Sequence, residues 1–103
     1  MDINMVTENG EMIVVLEGRL DTTTAPDLEK KVATALDCVS RLVLDFEKLS
    51  YISSAGLRVL LSLQKKMTAR KGTMIVRNPN EVVMEVFEVT GFEDILTIER
   101  KKL

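Results

Sequence analysis

Arg41-Leu42-Val43-Leu44-Asp45-Phe46 decides the fold, because a short, largely apolar run with a helical pattern on either side reads as a buried strand. Upstream, Leu28, Val32, Ala35 and Leu36 recur at helical spacing along a helix from about Ala25 to Leu36, with Asp27, Glu29, Lys30 and Lys31 on its solvent side. Thr22-Thr23-Thr24 offers capping hydroxyls, and Pro26 suits the first turn, where its missing N–H is harmless. Downstream, Leu57, Leu60, Leu61, Gln64 and Met67, widened by Val59 and Leu63, mark a helix from Ala55 to Arg70 with one polar exception in its stripe. Gly72 follows the basic end of that helix, where a left-handed residue closes many helices. Strand, helix, strand closes most simply as a right-handed parallel crossover, so the class is α/β.

Working outward, Ile3 to Thr7 and Met12 to Glu17 flank Asn9-Gly10, the pair favoured in a two-residue turn whose central residues both need positive φ. This predicts an N-terminal β-hairpin. Its first strand, polar at Asp2 and Asn4, reads as a sheet edge, and its second, apolar on both faces, as an interior strand. Gly18-Arg19-Leu20-Asp21 is expected to leave the sheet. Thr73 to Arg77 reads as a further parallel strand, Asn78-Pro79-Asn80 as a turn into a helix over Glu81–Val89, Ile95 to Ile98 as a last strand and Glu99 to Leu103 as a charged tail. The expectation is one domain over residues 1–103, with a mixed, mostly parallel sheet of four to five strands and three or four helices.

Composition removes whole classes of function. The net charge of −2 gives no positive field for a phosphate backbone or an anionic bilayer, so neither direct nucleic-acid binding nor membrane attachment is expected. Without histidine there is no imidazole triad or histidine-rich metal site, and a lone cysteine, Cys38, cannot form an internal disulfide. Cys38 reads as a helix-end or core residue, the six methionines as adaptable packing, and the Lys65-Lys66 and Lys101-Lys102 pairs as solvated faces. No basic leader with an apolar core opens the chain, and no segment reaches membrane-spanning length, so a cytoplasmic protein without a cofactor is expected.

In an open α/β sheet, partners bind beyond the carboxyl ends of the strands. Three loops lead there: Gly18–Thr24, Glu47–Ser54 and Arg77–Asn80. The middle one puts Ser53 and Ser54 at the mouth of the strongest helix, where free N–H groups and the positive end of the dipole tolerate a phosphate. Ser54 is thus a switch candidate; equally, Ser53 or Ser54 simply caps the helix. Ser-Ser-Ala-Gly-Leu is no nucleophile elbow and a serine–lysine dyad has only composition in its favour, so the chain is read as a non-enzyme. Asp21 reads either as a turn-forming aspartate or as a contact to a partner or a partner-held Mg²⁺-nucleotide. Asp45, near the end of a buried strand, needs partners such as loop N–H groups and is expected to be structural.

Glu17-Gly18-Arg19-Leu20-Asp21, the Leu42–Phe46 strand and Tyr51-Ile52-Ser53-Ser54-Ala55-Gly56-Leu57-Arg58-Val59-Leu60-Leu61 together resemble the STAS domains of bacterial anti-sigma factor antagonists. The resemblance covers nearly the whole chain and extends to Arg77-Asn78-Pro79 and Val89-Thr90-Gly91-Phe92. It implies partner switching: the unphosphorylated antagonist binds an anti-sigma factor that is also a serine kinase and frees a sigma factor, phosphorylation breaks the complex, and a PP2C-type phosphatase restores it. The family's Asp-Ser-(Ser/Thr)-Gly-Leu pattern, aligned on Gly56 and Leu57, puts the acceptor on Ser54, with Ala55 at the second hydroxyl position and Ser53 in place of the aspartate. Ser53 is therefore a competing acceptor.

By the same resemblance the partner surface comprises Asp21, Thr22, Ser53, Ser54, Ala55, Gly56, Leu57 and Asn78. Asp21 matches the family's acidic residue after the second strand and is expected to contact the kinase. A further C-terminal helix, usual in the family, has no counterpart among the few residues after Ile98. The other function the resemblance leaves open is a STAS subunit that binds a nucleotide or lipid, or assists a transporter complex, with Ser54 as a cap or contact.

Overall fold

The computed structural model describes residues 1–100. Positions 101–103, including the Lys101-Lys102 pair, lie outside the described residues. Asn9 and Gly10 take positive φ values of 51° and 79°, joining β1 (Asp2–Glu8) to β2 (Glu11–Leu20) with Glu8 opposite Glu11. The expected hairpin is there. From β2 the chain passes through α1 (Ala25–Ala33) to β3 (Arg41–Ile52), through α2 (Ser54–Ala69) to β4 (Thr73–Arg77), then through α3 (Glu81–Thr90) and a 3₁₀ turn at Phe92–Asp94 to β5 (Thr97–Glu99). The five strands lie in the order β1-β2-β3-β4-β5, with only the β1–β2 pair antiparallel. This is the mixed, mostly parallel sheet that the alternating pattern predicts.

Three successive parallel crossovers step the same way across the sheet, which brings all three helices onto one face. That face supplies Met12, Val14 and Leu16 from β2 and Leu42, Leu44 and Phe46 from β3 to one core, with Leu28 and Val32 of α1, Leu60 and Leu63 of α2, and Val83 and Phe87 of α3. The Phe46 and Phe87 rings meet at 6.4 Å, anchoring α3 over β3. On the opposite face Ile13 and Val15 stay half-exposed, so β2 is interior by pairing yet not apolar-covered on both sides. Among the described residues no helix is long and apolar enough to cross a membrane.

Several boundaries differ from expectation. Helix α1 stops at Ala33, although Leu36 beyond it is still buried in the core. Cys38 is neither at a helix end nor in the core: it is exposed in the following loop, with φ at 66°. The left-handed residue after α2 is Lys71, not Gly72. Gly72 is small for another reason: a Cβ there would sit 2.7 Å from Met67 Cε and 2.8 Å from the Ser40 carbonyl oxygen. Leu61 and Gln64 lie at the half-exposed edge of α2, whose buried stripe is Gly56, Leu57, Val59, Leu60, Leu63 and Met67. The last strand begins at Thr97, after the 3₁₀ turn, and Glu99 belongs to it rather than to a tail.

The largest correction concerns the carboxyl ends of β2 and β3. Gly18–Leu20 and Glu47–Ile52 are paired strand, not loop. Val15 faces Asp45, Glu17 faces Lys48, Arg19 faces Tyr51 and Leu20 faces Ile52, so β3 accommodates two residues more than β2 over this stretch. Such register shifts bend the strand and increase its twist. Because β4 pairs with β3 only as far as Asp45, the two bulged ends project past β4 as a two-stranded ribbon. Asp45, at its base, is half-buried and accepts the Glu47 N–H at 3.0 Å, the kind of backbone partner expected for it.

Candidate functional site

The ribbon carries two of the three sequence-predicted loops to one place. Leu20 and Ile52 are its last residue pair, and the Ser53 N–H donates to the Leu20 carbonyl at 2.9 Å, so the Asp21 loop and the start of α2 leave adjacent strand ends. The third loop joins them from the other side of β3: Asn80 caps α3 by accepting the Val83 N–H at 2.8 Å, and its side-chain amide donates to the Leu49 carbonyl at 3.0 Å. Within that loop Asn78 has φ at 55° and its N–H donates to the Glu99 carbonyl, tying the turn to β5.

At the head of α2 the two serines divide the work. Ser53 is extended, with ψ at 176°, and its Oγ accepts the Gly56 N–H at 3.3 Å; it is the N-cap. Ser54, the first helical residue, is exposed, and its hydroxyl makes no hydrogen bond among the described residues. With Gly56 N–H held by the cap and Leu57 N–H by the Ser53 carbonyl, the amides of Ser54 and Ala55 remain the open donors of the first turn. No acidic residue occupies that turn, so the positive end of the helix is uncompensated from within α2. Ala55 is half-buried.

Gly56 and Leu57 lie beneath this surface, 6 % of Leu57 being exposed, and they seat the helix rather than face outward. A Cβ on Gly56 would come within 2.7 Å of Ile52 Cγ1 and 2.9 Å of Leu20 Cγ. Glycine at this position therefore lets α2 start directly against the last ribbon pair. That contact is what fixes Ser54 relative to the Asp21 loop.

Asp21 organises its own loop. Its Oδ1 accepts the Thr23 hydroxyl at 2.7 Å, the Thr23 N–H at 3.0 Å and the Thr24 N–H at 3.3 Å, and the Thr24 hydroxyl accepts the Asp21 N–H at 2.9 Å. The Thr23 hydroxyl above all, then the Thr23 and Thr24 amides, hold the Asp21 carboxyl below its ordinary 3.8. Its Oδ2 points to Arg19 Nε at 3.8 Å, and the same guanidinium lies 4.5 Å over the Tyr51 ring. Thr22, at the tip, is exposed.

Sequence reasoning named Asp21, Thr22, Ser53, Ser54 and Asn78 and missed three side chains of the same rim: Arg19 and Tyr51, a facing pair on the ribbon, and Asn80, which locks the third loop to β3. Asn80 was legible as a polar residue just before the apolar run of α3. Arg19 and Tyr51 were not, because they lie in segments that read as loop.

Comparison with known proteins bears on this rim. The STAS domain family model matches residues 2–102. A candidate anti-sigma factor antagonist of Bordetella bronchiseptica, BtrV, is 35% identical over 103 residues, covering 99% of this chain and 89% of that one. The anti-sigma-B factor antagonist of Bacillus subtilis is 28% identical, covering 98% and 94% respectively. Among solved structures, the anti-sigma factor antagonist SpoIIAA superposes with a TM-score of 0.79 in its unphosphorylated form, at 22% identity over 98% of this chain and 90% of that one. Its phosphorylated form gives 0.77, at 22% identity over 97% and 93%.

Proposed function

The chain belongs to the STAS domain family, and from that premise we propose that it is an anti-sigma factor antagonist switched off by phosphorylation of Ser54. It is a binding module and not an enzyme, working in the cytoplasm without a cofactor. The unphosphorylated form binds an anti-sigma factor that is also a serine kinase, through Asp21, Thr22, the head of α2 and Asn78, and thereby releases a sigma factor. The kinase places phosphate on Ser54 and the complex falls apart; a PP2C-type phosphatase resets the switch.

One observation carries this reading: of two adjacent serines, Ser53 is consumed as the helix cap while Ser54 is exposed and unbonded. A phosphate on Ser54 adds about −1.5 to −2 charge and three acceptor oxygens beside the open Ser54 and Ala55 amides, where the helix dipole offsets it. The fold tolerates the group. A partner packed closely over Ser54 does not, because it would have to desolvate that charge and make room for it. Switching then requires no refolding, only a surface that no longer fits.

Pull-downs from lysate of the source bacterium with wild-type, Ser54→Ala and Ser54→Asp baits, with mass-spectrometric phosphosite mapping, test the reading. Wild type and Ser54→Ala should retain a small histidine-kinase-like ATPase, Ser54→Asp should lose it, and phosphate should map to Ser54. Phosphate on Ser53 alone, or capture of transport components regardless of residue 54, would overturn it.

A further inference from the structure

The charge of this nearly neutral chain is sharply divided. From Lys48 to Asn80 there are seven bases and no acid; from Asn78 to Glu99 there are six acids and no base. The division falls on two helices packed on the same face of the sheet. On α2, Arg58, Lys65 and Lys66 surround Leu61 along a shallow depression of about 400 Å³ on the side away from the core. On α3, Val82, Val86 and Val89 form an apolar stripe, with Val82 53% and Val89 81% exposed, lining a depression of about 280 Å³. Glu81, Glu85 and Glu88 run beside that stripe at the same spacing, one residue earlier. Among the described residues, none of these three bases or three acids has an ion-pair partner.

We propose that the outer face of α3 docks on the outer face of α2 of a second copy of this chain. Each face has an apolar centre with a rim of one sign, and the two signs are opposite. Contact of α2 with α2, or of α3 with α3, brings like charges together. Because both faces point away from the sheet, two copies related by a two-fold axis make the α2–α3 contact twice. A small, charge-rimmed interface of this kind is weak and salt-sensitive. The proposal is independent of the Ser54 switch, which concerns the strand-end rim.

Sedimentation velocity on the full chain tests it. At low salt the weight-average mass should climb with concentration from 11.6 kDa toward twice that value, and high salt should return it to the monomer. Lys65→Glu with Lys66→Glu gives two acidic faces, and Glu85→Lys with Glu88→Lys gives two basic ones; each double variant alone should remain monomeric. An equimolar mixture of the two should associate again, because every contact is then opposite in sign. Val89→Ser, which leaves all charges in place, should weaken wild-type association at least several-fold. A wild type that stays monomeric at the highest concentration, double variants that associate like wild type, or a mixture that fails to recover association would each overturn the proposal.

Discussion

The loop after β2 and the turn after β3 leave paired strand ends, yet one is closed on itself and the other is left half open. Asp21 spends one carboxylate oxygen on four donors of its own loop, so its position is set locally. At the head of α2 the holding is done by Ser53 and by the Gly56 contact, and Ser54 is left with nothing to hold. The difference shows how a short segment can be rigid and still present a free group: the structural duty is moved to the neighbouring residue.

If that division is right, substitutions should separate sharply along it. Gly56→Ala should cost the most, about 1–3 kcal/mol in urea unfolding, because the new methyl meets Ile52 and Leu20 inside van der Waals distance and outweighs the helix propensity gained. Ser53→Ala should lose the cap, about 0.5–2 kcal/mol by the same measurement. Ser54→Asp should do the reverse, adding about 0.3–1 kcal/mol through a carboxylate in an acid-free first turn while abolishing partner capture. Ser54→Ala should stay within about 0.5 kcal/mol of wild type. Equal losses at Ser53 and Ser54 would break the comparison.

The Asp21 side has its own, smaller test. Its carboxyl should titrate below 3.8 when followed by carbon NMR, because the native loop favours the charged form. The unfolded chain then binds the proton more readily, so this contribution to stability is complete above 3.8 and is lost as the pH falls through the lower native value. Removing the Thr23 hydroxyl, the largest cause, with Thr23→Val should move the titration back toward 3.8.

Much of the architecture was legible because its signals are local: Asn9-Gly10 for the hairpin, the apolar stripe of α2, and the alternation of helix and strand. The ribbon was not, for a physical reason. Glu47-Lys48 puts two exposed residues in a row and Ser50 a third before Ile52, a pattern that breaks period-two alternation and reads as loop. Only pairing with β2 makes it strand. For the same reason the serines and Asp21 were found by their surroundings, while Arg19 and Tyr51 carried the resemblance without being assigned to the rim. The division between Ser53 and Ser54 could not be read either, since either hydroxyl can cap and only the backbone angles choose.

The two extra residues of β3 also obey an arithmetic of parity. Each single insertion turns the following side chains to the other face of the sheet, so one alone would have sent Ile52 to solvent and swung the head of α2 away from Leu20. Two restore the sense, which is why Phe46, Leu49 and Ile52 are all buried although each lies three positions beyond the one before. Chains that lengthen or shorten this ribbon by an even count keep the same side facing the core, with the rim displaced along the strand by about 3.3 Å per residue of net strand length. An odd change must be corrected elsewhere in the strand or lose the seat on which the switch rests.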